Sequence, residues 1–233
     1  MKVSVIVPAH NEEENIVELI DQIEKSLTVE HELIIVNDHS GDKTCELVNG
    51  LLPKYADLRL VHNNSSAGFA NAIITGLRNA NGDAVVPMMG DMSDAPETVN
   101  IMAAKIEKGY DVVCGSRYIK SGKRIGGSKI KGFLSYLAGR TLNLILGVDT
   151  HDVTNPFKMY RRSVIDAITI KSKSFEISIE LFVKAYQAGF KITEVPTVFK
   201  ERTRGKSSFN VLKLIPGYFK FYLLAISKKA SFR

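Results

Sequence analysis

The sequence predicts an α/β protein built on a doubly wound, mainly parallel sheet. Three observations predict it. Short apolar runs alternate with helix-period segments through the first 116 residues. The runs are continuous rather than alternating, as strands covered on both faces require. The chain has 233 residues, 45% apolar and 24% charged, an ordinary globular composition with room for one or two domains.

The elements follow in order. Residues 3–7 (VSVIV) read as a first strand ending at Pro8. In 12–26, Ile16, Leu19, Ile20 and Ile23 recur at helical spacing behind a run of Glu, which favours a helix start. Residues 33–36 (LIIV) form a second strand ending at Asn37-Asp38, and 42–52 a second helix. Residues 58–61 (LRLV) form a third strand and 69–80 a third helix. Residues 84–87 (AVVP) run into a loop, and the helix 96–108 opens on Pro96-Glu97, a good first turn. Residues 110–114 (YDVVC) form a fifth strand before Gly115-Ser116-Arg117. Strand-helix repetition of this kind makes a parallel sheet.

Beyond Arg117 the pattern changes. Residues 119–128 read as a Gly- and Lys-rich loop, 129–146 as a helix with many apolar positions, 176–187 as another helix and 190–198 as a strand. The tail 211–227 is strongly apolar but carries Lys213, Pro216, Gly217 and Lys220. It is too interrupted to span a bilayer and suits the membrane interface, with Tyr, Phe and Lys at the boundary. A core or dimer helix is the other reading of that tail.

Several classes are excluded. No run of about 18 apolar residues is present, so a membrane span is not expected. The first apolar stretch is short for a secretory signal and lacks a small-residue cleavage site. Cys45 and Cys114 are too few for a disulfide framework and read as buried free thiols of a reducing compartment. Pro8-Ala9-His10-Asn11 follows the first strand where a dinucleotide fingerprint needs glycines. Gly205-Lys206-Ser207 resembles the end of a P-loop, yet Lys200 stands where the first glycine belongs. The five His do not cluster with Cys, which argues against zinc.

The net charge of +6 is unevenly spread. Arg117, Lys120, Lys123, Arg124, Lys129 and Lys131 occur with no acid among them. Lys200, Arg202, Arg204, Lys206 and Lys213 face Glu201 alone. Anionic partners such as phosphate or anionic lipid fit this half. Nucleic acid fits poorly, because the basic stretches lack interleaved aromatics and a recognisable module.

Ligands of doubly wound sheets bind at the carboxyl ends of strands. That rule selects Pro8–Glu12, Asp38, Asp91–Asp94 and Gly115–Arg117. A carboxylate at Glu12 or Asp38 suits a ribose or base edge; Asp38 equally suits a helix cap. Asp91 and Asp94 put two hard oxygen donors in one loop, as Mg²⁺ or Mn²⁺ requires. Asp94 also suits an N-cap before Ala95-Pro96.

The ordered set of motifs resembles family 2 inverting glycosyltransferases, particularly the branch that transfers hexose to dolichyl or polyprenyl phosphate. VSVIVPAHNEEENI, LIIVNDHSGDKT, SAGFANAIITGL, GSRY, DVTNPFKMYRR, FEISIELFVKAYQAGFKITEVP and RTRGKSS follow in that family's order. The resemblance implies the GT-A, Rossmann-like fold over 1–210. A nucleotide-sugar half would span 1–117 and an acceptor half 118–210, followed by a membrane-interfacial tail over 211–233 with amphipathic helices. It implies that Pro8, His10, Glu12, Asp38, Gly90 and Lys206 bind the nucleotide-sugar donor. His10 stands where the family often has Tyr. It implies Asp91 as metal-binding acid, with Ser93 and Asp94 as further ligands of Mg or Mn. Met89 occupies the place of the family's first acid. Arg117, Lys131 and Ser135 would hold the acceptor phosphate, and Arg202 would close with Lys206 over the donor pyrophosphate. Asp91, Arg117 and Arg202 are thus the residues implied in catalysis.

A lipid monophosphate, with its second pKa near 6, is largely dianionic at neutral pH and can attack without a base. Transfer would then invert the anomeric centre. A saccharide acceptor would instead need a carboxylate base, for which Asp94 and Glu180 are the candidates. A nucleotide-binding subunit without turnover is the reading of another class. The expected setting is the cytoplasmic face of a membrane, peripherally bound, as a homodimer or beside a separate membrane subunit.

Overall fold

The computed structural model describes residues 1–202, 219–221 and 223–225; for Lys131 and Ile145 it describes only helical backbone. The strands are β1 (Val3–Ala9), β2 (His31–Asn37), β3 (Leu58–His62), β4 (Ala84–Pro87), β5 (Val112–Ser116), β6 (Lys123–Ile125), β7 (Lys158–Arg161), β8 (Ile192–Pro196) and β9 (Val198–Lys200). The helices are α1 (Ile16–Ser26), α2 (Thr44–Leu51), α3 (Phe69–Asn79), α4 (Thr98–Glu107), α5 (Lys129–Leu146), α6 (Arg162–Ala167) and α7 (Ile177–Gln187).

Seven strands make one sheet in the order β3-β2-β1-β4-β7-β5-β8. The pairings β3-β2, β2-β1, β1-β4 and β5-β8 are parallel. The sheet's faces carry two apolar clusters. Ile6, Ile34 and Val36 pack with α3 and α7 on one face. Val5, Val7, Leu33 and Ile35 pack with α1 and α4 on the other. This is the physical sense of the continuous apolar runs: alternate side chains enter opposite cores. On α1, the four residues at helical spacing are all buried.

The structure corrects the sequence reading in four places. The first concerns β7, a strand the sequence did not reveal; it lies between β4 and β5, antiparallel to both. Its residues KMYR set Met and Tyr between two charged residues, so no apolar run advertises them. Lys158 is nonetheless fully buried, its ammonium donating to the carbonyls of Val153 and Asn155. Arg161 donates to the Tyr110 carbonyl just beyond α4. Arg162 donates to the Leu77 and Ala80 carbonyls at the end of α3. The sheet is therefore shared between the 1–117 and 118–210 segments.

The second correction is within 119–128, where β6 forms and pairs in parallel with β9 as a separate two-stranded ribbon. The third divides the strand expected over 190–198. β8 ends at Pro196, and after Thr197 the chain enters the ribbon as β9. The fourth is the start of the first helix, at Ile16 rather than 12, which leaves Glu12 in the turn after β1.

Most of the tail lies outside the described residues. Within it, Phe221 and Ala225 are buried against the α3–α7 cluster, and Phe219 and Leu223 face outward. No helix among the described residues is long and apolar enough to cross a membrane.

Candidate active site

The carboxyl ends of β1, β2, β4 and β5 bring the selected segments to one edge of the sheet. At the end of β2, buried Asp38 accepts from Asn63 Nδ2 at 2.7 Å and from the Gly68 amide at 2.9 Å. Its carboxylate ties the end of β3 to the start of α3; it does not cap α2. The cap-like contact before α2 falls to Asp42, which accepts from the Thr44 amide at 3.0 Å. His10 Nδ1 lies 2.6 Å from the Asp38 carbonyl. A carbonyl only accepts, so the proton sits on Nδ1 and Nε2 accepts from Asn11 Nδ2. The His10 ring is exposed above Asp38.

Gly90 follows β4 and lies against β1. A β-carbon there would stand 2.8 Å from the Pro8 carbonyl oxygen, closer than van der Waals contact allows. Only glycine lets the metal-candidate loop meet the first strand at this point. Asp91 Oδ1 then accepts from the Ser93 amide at 3.1 Å, and Met92 takes a positive φ of 61°. Ser93 is buried, and its carbonyl accepts from the Lys200 amide at 2.9 Å. Asp94 accepts from the Met89 amide at 3.0 Å, folding the loop back on itself. It does not cap α4, whose first residue is Thr98. Burial pushes the Asp94 carboxyl up to about 7, the Met89 amide pulls it down, and the Asp91 charge adds to the rise.

Arg202 joins these groups across 190 residues. Its Nη2 donates to both Glu12 oxygens at 3.1 and 3.2 Å, and its Nη1 lies 3.8 Å from Asp91 Oδ2. Glu12 also accepts from Asn15 Nδ2 at 2.7 Å. Glu12, Asp91 and Arg202 therefore form one constellation.

Arg117 forms a second one beside it. Its Nε and Nη2 donate to the two Asp152 oxygens at 2.7 and 2.8 Å, and its amide donates to Oδ2 at 3.0 Å. Asp152 is wholly buried. Nη2 also donates to Ser135 Oγ at 2.9 Å, and Ser135 lies 2.6 Å from Thr154 Oγ1. The Arg117 charge faces Tyr118 and Phe199 rings at 5.2 and 5.6 Å. Burial works against its charge, but the Asp152 contacts outweigh it and hold the guanidinium above its ordinary pKa. Asp94 and Arg117 are close enough to lower and raise each other's pKa.

Sequence reasoning missed Asp152 as a site residue. The acid-free run 117–131 was the available signal, since a buried guanidinium requires an acid from elsewhere in the chain. Glu180, considered as a base, is corrected. It is fully buried, accepting from the Lys171 and Ser172 amides and paired with Lys184. Those donors lower its pKa despite burial, and they fix the loop before α7. Lys131 falls on α5, four residues before Ser135. Lys206 lies outside the described residues.

Hard oxygen donors at Asp91 and Asp94 suit a divalent cation, whereas Met89 supplies none. Among the described residues no group of three His, Cys, Asp or Glu could hold a metal.

The sequence profile described as Glycosyl transferase family 2 matches residues 4–169. Dolichol-phosphate mannosyltransferase of Pyrococcus furiosus is 33% identical over 211 residues, covering 89% of this chain and 59% of that relative. Polyprenol monophosphomannose synthase of Mycolicibacterium smegmatis is 31% identical over 224 residues, covering 93% of this chain and 84% of that one. Glucosyl-3-phosphoglycerate synthase of Mycobacterium tuberculosis, solved with Mn²⁺, uridine diphosphate and glucosyl-3-phosphoglycerate, superposes with a TM-score of 0.72 at 18% identity. That match covers 97% of this chain and 80% of that structure, a likeness of fold alone. The fold is GT-A, and the chain belongs to glycosyl transferase family 2.

Proposed function

We propose that this chain transfers a hexose from a nucleotide-sugar to a polyprenyl or dolichyl phosphate with inversion. The observation that carries the acceptor assignment is the meeting of Arg117 with α5 at Ser135. A guanidinium suited to phosphate stands there beside a helix that exposes Ile130, Phe133, Leu134 and Leu137. One acceptor satisfies both features: a phosphate on an apolar chain. The names of the two curated relatives support the same class of acceptor.

In this reading Pro8, His10, Glu12, Asp38 and Gly90 line the nucleotide side, and Lys206, outside the described residues, is assigned to the same side. Arg202, between Glu12 and Asp91, lies beside the place a donor pyrophosphate would take. Asp91, with Ser93 and Asp94, would hold Mg²⁺ or Mn²⁺, the ions named for the superposed structures. When bound, such a cation neutralises charge on the departing nucleoside diphosphate.

Arg117, Lys131 and Ser135 orient the acceptor. Two of the Arg117 donors are fixed by Asp152, so its head is preorganised rather than searching. The acceptor phosphate is dianionic at neutral pH and attacks the anomeric carbon from the face opposite the leaving group. No proton need be removed, and one displacement inverts the centre. We assign the chain to the cytoplasmic face of a membrane, bound peripherally, a reading that the exposed apolar residues of α5, with Phe219 and Leu223, support.

Asp94 supports a second reading. Its carboxyl, raised to about 7, is the group placed to serve as base for a saccharide hydroxyl. The test is a transfer assay with labelled GDP- and UDP-sugars, Mn²⁺ or Mg²⁺, and polyprenyl phosphate in detergent. Label should enter the organic phase, and Asp91→Asn should abolish this. Donor hydrolysis without lipid product would instead favour the saccharide acceptor.

A further inference from the structure

Arg117 meets its counter-charge inside the protein. Asp152 occupies two of its donors and cannot be displaced, being wholly buried. The pair contributes almost no net charge, and Asp94 stands near it. A phosphomonoester close to its dianionic form needs further cations to be held.

Helix α5 supplies the place for one. Gly132 and Ser135 are three apart and therefore neighbours on one helix face. Ser135 receives the Arg117 guanidinium. At Gly132 stands the guanidinium of Arg124, from β6. Its Nη1 donates to the Ser128 carbonyl at 3.0 Å, and a β-carbon on Gly132 would overlap that nitrogen. The Phe199 ring on β9 spans the two, 5.6 Å from Arg117 and 6.0 Å from Arg124. Two guanidinium groups thus occupy successive positions along α5 and share one aromatic platform.

Glu201 flanks Arg124 across Gly127. Unlike Asp152 it is exposed, so its carboxylate is hydrated and leaves Arg124 most of its charge toward an incoming anion.

We infer that Arg124 is the second guanidinium of the acceptor-phosphate site, with Arg117 on one side of a phosphomonoester and Arg124 on the other. Phe199 is a positioning residue that fixes their spacing. This rests on the lipid-phosphate reading of the acceptor above.

The test is steady-state kinetics on the full chain, with polyprenyl phosphate in detergent varied against a saturating nucleotide-sugar. Arg124→Gln should raise the KM for polyprenyl phosphate about 10- to 100-fold, the loss of one charge-assisted contact, with donor KM and kcat little changed. Arg124→Lys should recover part of the loss. Phe199→Leu should raise the same KM by less, and Phe199→Tyr should restore it. Melting curves identify any variant that fails to fold; Arg124→Lys then carries the same test with a smaller rise. An acceptor KM unmoved in Arg124→Gln sinks the inference while leaving the lipid-phosphate reading intact. A rise confined to donor KM does the same. A wild-type chain that binds and hydrolyses donor but makes no lipid product overturns the reading, and the inference with it.

Discussion

Arg117 and Asp152 are 35 residues apart, and both donor-acceptor contacts between their side chains are under 2.9 Å. The acid is wholly buried and the base nearly so. Removing one member leaves the other charged and unpaired. Asp152→Ala should therefore destabilise the chain by about 3–5 kcal/mol, measured as urea unfolding. Arg117→Met with Asp152→Leu should recover much of that stability and none of the transfer. A double variant that keeps activity would remove Arg117 from the mechanism.

The carboxyl of Asp94 sets a pH dependence. Its value in the folded chain, about 7, exceeds the ordinary 3.8. The folded state then holds the proton more tightly than the unfolded state. Stability from this group is full below about pH 4 and falls as pH rises to about 7, by on the order of 4 kcal/mol. Urea unfolding at pH 4.5 and 8 in the presence of chelator should show the decline. Asp94→Asn should flatten it; an equal slope in that variant contradicts the assignment.

The outer face of α5 makes a separate claim. Phe133 is 63% exposed and Leu137 47% exposed, so neither contributes much to the core. Replacing both with Glu should leave the melting temperature within a few degrees. It should abolish co-sedimentation with vesicles containing anionic lipid, which the unaltered chain should show. Vesicle binding that survives both substitutions would locate the membrane contact elsewhere.

Much of the site was legible because it hangs on local signals. Glu12, Asp38, Asp91 and Arg117 each follow an apolar run, and strand ends in a doubly wound sheet converge. What each does there was less legible. Asp38 and Asp94 look alike as helix caps, yet Asp38 ties β3 to α3 and Asp94 turns back onto Met89. Glu180 looks like a solvated helix acid and is a buried anchor. These outcomes depend on which donors arrive from distant segments.

The sequence by itself determined the order of strands and helices up to Arg117 and the parallel character of that sheet. Continuous apolar runs favour that arrangement, because both faces of each strand must be covered. The tertiary structure alone decided that β7 inserts between β4 and β5, that Asp152 meets Arg117, and that Arg202 reaches Glu12. Each joins residues far apart in the chain. Short-range propensity is silent on such pairs; the packing of the sheet and the cost of an unpaired buried charge select them.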